Sequence, residues 1–224
     1  MLNVKLKTRN SKLKFKILSF SFALLVFYFT FSCAFADSDV ELLLKKLEVK
    51  LSGLKSIQTD FIQEKKMSVF DKKIILRGRI FIQEPELFSW RTFEPVRYCM
   101  IIKGDTIKQW DEDSKQVQTL SLSRNPTFLI AVNQMKTWFQ GQYLKLLNDY
   151  EVRIISSNPV ILEFMPKKSA AAFGIIKKVR ITFRIDERYI ERIDIEEKNH
   201  DLSSLTFLNT KLNTPIDPSS WELK

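Results

Sequence analysis

Residues 77–96 read RGRIFIQEPELFSWRTFEPV. Gly78, Ile80 and Ile82 alternate with Arg79, Phe81 and Gln83, which is the period of a β-strand with one apolar side. Beyond Pro85, Phe88 and Trp90 again stand two residues apart. Carrying the strand phase through Pro85 puts Gly78, Ile80, Ile82, Glu84, Phe88 and Trp90 on one face. Such a row of side chains either lines a cavity near its rim or fills the core of a closed sandwich, and the pattern weights the two equally.

On the N-terminal side, residues 57–63 and 74–82 both alternate, with Ile57, Thr59, Phe61 and Gln63 on one side of the first run. On the C-terminal side, strand-like runs follow at 97–103, 106–110, 115–122, 150–156, 159–165, 176–185, 188–197 and 203–211. Gly104-Asp105, DEDS, SSNP, DE and KNHD supply the turns between them. Consecutive strands joined by short turns predict an antiparallel meander of about ten strands, which must close, stack or wrap around something. Two segments are helical or irregular. Val40, Leu43, Leu44, Leu47, Leu51 and Leu54 form a helical stripe, with Ser38 and Glu41 at capping-box spacing. Residues 126–149 interrupt the strands. That is too little helix to cover the sheet from outside, but enough to lie across one face as a lid.

The ends of the chain bound its environment. Lys5, Lys7, Arg9, Lys12, Lys14 and Lys16 precede an apolar run at residues 17–32 and then Ala34-Phe35-Ala36. This is the layout of a secretory signal peptide cleaved after Ala36. The run is shorter than the roughly 20 residues of a spanning helix. Thr30, where a lipoprotein signal calls for an aliphatic residue, argues against lipidation at Cys33. Six of the 36 basic residues and none of the 26 acidic ones lie in this leader, so residues 37–224 carry +4 and not +10. A nucleic-acid partner loses its main support with that change. Only Cys99 remains, so no internal disulfide forms and the domain at 37–224 must stand on packing.

Nothing in the sequence has the spacing of an active site. His200 is the single histidine and falls in the KNHD turn, Cys99 reads as a buried thiol, and the carboxylate clusters fall in turns or alternate along strands. No metal-ligand spacing, phosphate loop or nucleophile elbow is present, so no cofactor is expected.

The segments IQTDFIQEKK (57–66), RGRIFIQEPELFSWRTFEPV (77–96), KGDTIKQWDEDSKQVQ (103–118), NPTFLIAVNQ (125–134) and LTFLNTKLNTPIDPSSWEL (205–223) together resemble the LolA family of periplasmic outer-membrane lipoprotein carriers. The resemblance implies an unclosed antiparallel half-barrel with a helical lid over an apolar cavity. It implies acylated lipoproteins as cargo, taken from an ATP-driven inner-membrane transporter and passed to an outer-membrane receptor by a monomeric carrier. Phe88 and Trp90 match the family's aromatic mouth and cavity positions, beside Ile80 and Ile82, and Phe128, Leu129 and Ile130 match its apolar lid positions. Glu84 departs from the pattern. The family commonly has an arginine there that holds lid carbonyls, and an ionised carboxylate has no donor to offer, so the lid is expected to be looser, or Glu84 to act as its latch through a lysine or arginine that it attracts. The chain also stops soon after Trp221, where some members continue. A carrier of another lipid or glycolipid on the same fold, and a cavity-free β-sandwich binding module, are the competing readings.

Overall fold

The structure, a computed structural model, describes residues 32–69 and 73–223. Of the signal peptide expected at 1–36, residues 1–31 lie outside the described residues, and residues 32–36, up to the expected cleavage site, are helical in backbone. The described residues divide between Leu43 and Leu44 into two units.

Helix α1 spans Ser32–Leu51. It begins six residues ahead of Ser38, so Ser38 and Glu41 lie within the helix and do not cap it. The small helix-formers Ala34 and Ala36 continue the helical backbone ahead of the start expected at Ser38. In the second unit, Leu44, Leu47 and Leu51 of α1 are buried at three- and four-residue steps.

The second unit is built on one sheet of eleven antiparallel strands: β1 (Ser56–Lys66), β2 (Lys73–Gln83), β3 (Leu87–Glu94), β4 (Tyr98–Lys103), β5 (Thr106–Asp111), β6 (Val117–Ser121), β7 (Tyr150–Ser157), β8 (Val160–Pro166), β9 (Ile176–Phe183), β10 (Ile190–Glu197) and β11 (Leu202–Leu212). Their spatial order is β6-β5-β4-β3-β2-β1-β11-β10-β9-β8-β7. Every neighbouring pair is consecutive in sequence except β1 with β11, where the two ends of the meander meet in mid-sheet. The edges β6 and β7 do not pair, so the sheet is unclosed. Because β6 and β7 are consecutive in sequence and sit at opposite edges, residues 122–149 must cross the whole sheet. That crossing carries α2 (Pro126–Phe139) and α3 (Tyr143–Leu146).

The reading of 77–96 needs one correction. The strand does not run through Pro85: residues 84–86 are a turn, and β2 and β3 form a hairpin around it. Ile80 still shares a face with Trp90, and Ile82 with Phe88, because these pairs stand directly opposite each other across the hairpin. Glu84 drops out of that face and is exposed in the turn. The inner face continues through Ile57 and Phe61 of β1, Ile102 of β4, and Leu205 and Phe207 of β11, all buried.

The outer face is divided. On β8–β11 it is a charge ladder: Arg180 donates to Glu163 at 2.9 Å, and Arg192 and Ser204 donate to Asp194. On β1–β4 it is covered by the chain's own C-terminus. Gln58 Nε2 donates to Pro215 O at 2.8 Å, Trp221 packs edge-on to Phe81, and Arg91 donates to the carbonyl oxygens of Ser219, Ser220 and Glu222. Phe81, Ser89, Cys99 and Ile101 are buried on this side. Burial pushes the Cys99 thiol up, against the lowering charge of Arg91, so it stays protonated.

Candidate functional site

Helix α2 presents Gln134, Met135, Trp138 and Phe139 on one stripe, and this stripe faces the sheet. Phe139 meets Phe207 of β11 edge to face, with ring centroids 5.4 Å apart. Beside the contact the helix and sheet separate, leaving an apolar pocket of about 340 Å³. Its floor is the inner face of the sheet: Gln63 of β1, Trp90 of β3, Val179 of β9, Ile193 and Ile195 of β10, and Leu205 and Phe207 of β11. Its side wall is the 3-10 turn Ala171–Gly174 and the two isoleucines after it. Tyr150 closes the β7 end, its hydroxyl donating to Gln134 Oε1 at 2.8 Å, and burial raises that phenol above its ordinary pKa. Ile175 is 58% exposed, so the pocket reaches solvent beside it.

The wall around Trp90 depends on Gly78. The Phe61 ring lies across this glycine: a Cβ at Gly78 would stand 2.6 Å from the ring and 1.9 Å from the Arg91 carbonyl oxygen. Only a residue without a side chain lets the ring settle there. Phe61 then packs on Trp90 at 4.4 Å between centroids, and Trp90 Nε1 donates to Thr92 Oγ1 at 3.3 Å. Trp90 is left half-buried, with part of its surface in the pocket.

The other residues singled out in the sequence fall elsewhere. Ile80, Ile82 and Phe88 are buried on the same inner face as Trp90 but do not line the pocket. Leu129 is half-buried on α2 and also lies outside the lining. Phe128 and Ile130 are helical in backbone, and their side chains lie outside the described residues. Glu84 makes no side-chain hydrogen bond or ion pair among the described residues. The lining residues of β9–β11 were missed although their signal was present. Val179, Ile181 and Phe183, Ile193 and Ile195, and Leu205 and Phe207 alternate with polar neighbours, and register puts them on one face.

Helix α2 is fastened at its C-terminal end. Trp138 and Phe139 are buried, and the fully buried Tyr143 donates from its hydroxyl to Trp138 O at 2.7 Å. The Leu144 amide donates to Glu48 of α1 at 2.8 Å. Gly141, at φ +69°, packs where a Cβ would stand 2.8 Å from Leu51 Cβ. At the other end, Asn125 makes no side-chain cap to the helix, and its Nδ2 donates back to Ser121 O instead.

An unclosed sheet with α2 laid over an apolar pocket is an arrangement that can take an apolar ligand. Among the described residues no group of His, Cys, Asp or Glu is placed to hold a metal ion. Residues 52–224 match the sequence profile of the family described as "Outer membrane lipoprotein carrier protein LolA". The chain belongs to the LolA family, whose members are transport proteins and not enzymes. It is 26% identical to an outer-membrane lipoprotein carrier protein of Pseudoalteromonas translucida over 197 residues, 84% of each chain. It is also 26% identical to one of Aeromonas salmonicida over 176 residues, 77% of each. A solved structure of an uncharacterized conserved protein from Thermus thermophilus superposes with a TM-score of 0.50 at 9% identity, covering 82% of this chain and 93% of that one, which shows a shared fold.

Proposed function

We propose that this chain is a periplasmic carrier that holds the acyl chains of lipoproteins released from the inner membrane and delivers them to the outer membrane. The observation that carries this reading is the apolar pocket between α2 and the unclosed sheet of a LolA-family chain. The physical need is large: at about 0.8 kcal/mol per methylene, an anchor of some 45 methylenes faces water at a cost on the order of 35 kcal/mol. Export by the N-terminal leader, with cleavage after Ala36 to leave a monomeric domain at 37–224, places the protein where such cargo must cross. An ATP-driven inner-membrane transporter supplies the cargo in this scheme and an outer-membrane receptor takes it.

The pocket sets a condition on loading. A cavity of about 150 Å³ takes one benzene, or about 25 Å³ per carbon. At 340 Å³ the present pocket therefore holds roughly 13 carbons, one acyl chain rather than three. Accepting a multi-chain anchor requires α2 to lift, and its fastenings at Trp138, Tyr143 and Gly141 make the C-terminal end the pivot. Phe128, Leu129 and Ile130 lie toward the N-terminal end of α2, which moves most in such a lift, and Ile80, Ile82 and Phe88 extend the apolar inner face that the incoming chains would meet. Glu84 is no latch in this scheme, having no donor for the carbonyls of α2.

The test is to purify the protein from its host's periplasm and identify bound molecules by mass spectrometry. Triacylated or diacylated lipoproteins support the assignment. A different lipid class transfers the fold to other cargo, and the absence of any acylated species, with no uptake of a myristoyl probe, refutes it.

A further inference from the structure

A second cavity adjoins the apolar pocket. Its volume is about 220 Å³, and Gln134, Tyr150, Ala171 and Ala172 line both spaces. The partition between the two is the bond from the Tyr150 hydroxyl to Gln134 Oε1, with the small side chains of Ala171 and Ala172 beside it. Beyond the partition the chemistry changes. Where the pocket is walled by aliphatic side chains and aromatic rings, the second cavity is lined by Asn133 and Thr137 of α2, Lys145 of α3, and Asp149. Asn133 and Thr137 stand one helical turn apart, and the Thr137 hydroxyl donates to Asn133 O at 2.8 Å, which leaves the Asn133 amide group facing outward without a side-chain bond among the described residues. Lys145 gives one hydrogen to Gln142 Oε1 at 3.0 Å and keeps two donors.

An acyl chain in the apolar pocket must place the polar group at its end somewhere. Within the pocket, Trp90 Nε1 already donates to Thr92 Oγ1, and Gln63 Nε2 donates to Ser203 Oγ at 3.0 Å. Gln134 differs from both. Its Oε1 accepts from Tyr150, while its Nε2 makes no hydrogen bond among the described residues. The most open donor in the pocket therefore sits at the partition, with the polar cavity directly behind it. At the other way out, Ile175 and Ile176 give a polar group nothing to bond to. At about 25 Å³ per atom, 220 Å³ takes roughly nine non-hydrogen atoms, enough for a linkage and a short polar group beyond it.

We propose that the second cavity is the polar subsite for the same ligand, an inference that deepens the carrier reading and rests on it. The chain lies in the apolar pocket and the carbonyl of a neutral acyl linkage, ester or amide, accepts from Gln134 Nε2. The rest of the linkage passes where Tyr150 and Gln134 now meet, exchanging their mutual bond for bonds to the ligand, and lies between Asn133 and Lys145. A neutral linkage fits better than an anionic head, because Asp149 lines the same space as Lys145 and their charges offset each other. Asn133, Gln134 and Thr137 lie in the half of α2 nearer its fastened end, so the subsite moves least when the N-terminal end lifts.

The experiment is displacement of 1-aminoanthracene, an apolar fluorophore, by three ligands that share one chain: monododecanoylglycerol (ester), N-dodecanoylethanolamine (amide) and dodecanoate (carboxylate). The wild type should bind at least one neutral ligand about tenfold or more tighter than dodecanoate, and the tighter of the two names the linkage. Gln134→Leu, which removes the donor at the partition, and Asn133→Leu, an exposed position that lines only the polar cavity, should each cut that advantage several-fold. Retained fluorophore binding shows that both variants fold. Dodecanoate binding as tightly as both neutral ligands overturns the proposal, and so does a neutral advantage that survives both substitutions; in either case fluorophore binding leaves the carrier reading standing. A wild type that takes up neither fluorophore nor chain removes the carrier reading and the subsite together.

Discussion

Filling the pocket from within separates it from an ordinary core. Ala172→Phe adds one phenyl ring at a wall residue that is 9% exposed. Six added carbons occupy about 150 Å³ on the benzene scale, leaving roughly 190 Å³ of the 340 Å³ and room for about seven carbons instead of thirteen. In a filled core the same change costs about 1–3 kcal/mol through overpacking; here the space exists, and the expected stability change is within about 1 kcal/mol. Ligand preference should shift by much more. A myristoyl chain loses the burial of about six methylenes, an upper bound near 5 kcal/mol at 0.8 each, whereas an octanoyl chain still fits. Fluorescence displacement with myristate and octanoate, paired with urea unfolding, reads both quantities. The wild type should favour myristate strongly, and the variant should bind the two nearly alike. An unchanged preference, or a stability loss of about 3 kcal/mol or more with probe binding intact, would show that Ala172 faces packed side chains and that the pocket is not where chains bind.

Arg91→Met removes the donors that hold the C-terminal carbonyls, so stability should fall by about 1.5–3 kcal/mol; Cys99 should react faster with a thiol reagent, and unaltered reactivity would show that the C-terminus is not what covers it. Glu187 accepts from Lys50 at 2.5 Å and Lys46 at 3.1 Å, and these bonds, Lys50's above all, hold its carboxyl below the ordinary range. A lowered carboxylate stabilises the fold above its unfolded pKa of about 4.3 and loses that contribution as pH falls through the lower folded value. Glu187→Gln should therefore melt below wild type at neutral pH and converge with it on acidification, a pH-independent gap counting against the ion pairs. Gly141→Ala puts a methyl 2.8 Å from Leu51 Cβ at a positive φ, so it should loosen the lid's pivot and speed hydrogen exchange across residues 138–146; unchanged exchange there would move the pivot elsewhere.

The parts of the fold that were legible in the sequence are those written in local periods. The alternations at 57–63, 74–82, 176–185, 188–197 and 203–211 give strands whose ends fall within a few residues of the expected ones, because each strand has one buried face and period two follows from that alone. Two features were illegible for the opposite reason. The pairing of β1 with β11 joins segments about 145 residues apart with no turn between them, and only the closure of the meander on itself brings them together. Proline 85 misled because two physical routes put Phe88 beneath Ile82: a continuous strand and a tight hairpin both keep the apolar rows aligned, and only the hairpin frees Glu84 from the face.

The same logic explains why the pocket was only partly foreseen. Trp90 was found because it sits in an unusual sequence context. Val179, Ile193 and Leu205 look like any sheet core, and nothing local distinguishes a strand residue facing a packed helix from one facing a gap. The gap arises from how far α2 stands off the sheet, which depends on bulk at a few separated points. Phe139 against Phe207 props the helix at one place, Gly78 lets Phe61 and Trp90 lie low at another, and the small side chains of Ala171 and Ala172 leave the wall thin between them. A cavity is then the residue of mismatched sizes at long-range contacts, which is why single substitutions of size, at Ala172 above all, are the sharpest probe of what this chain carries.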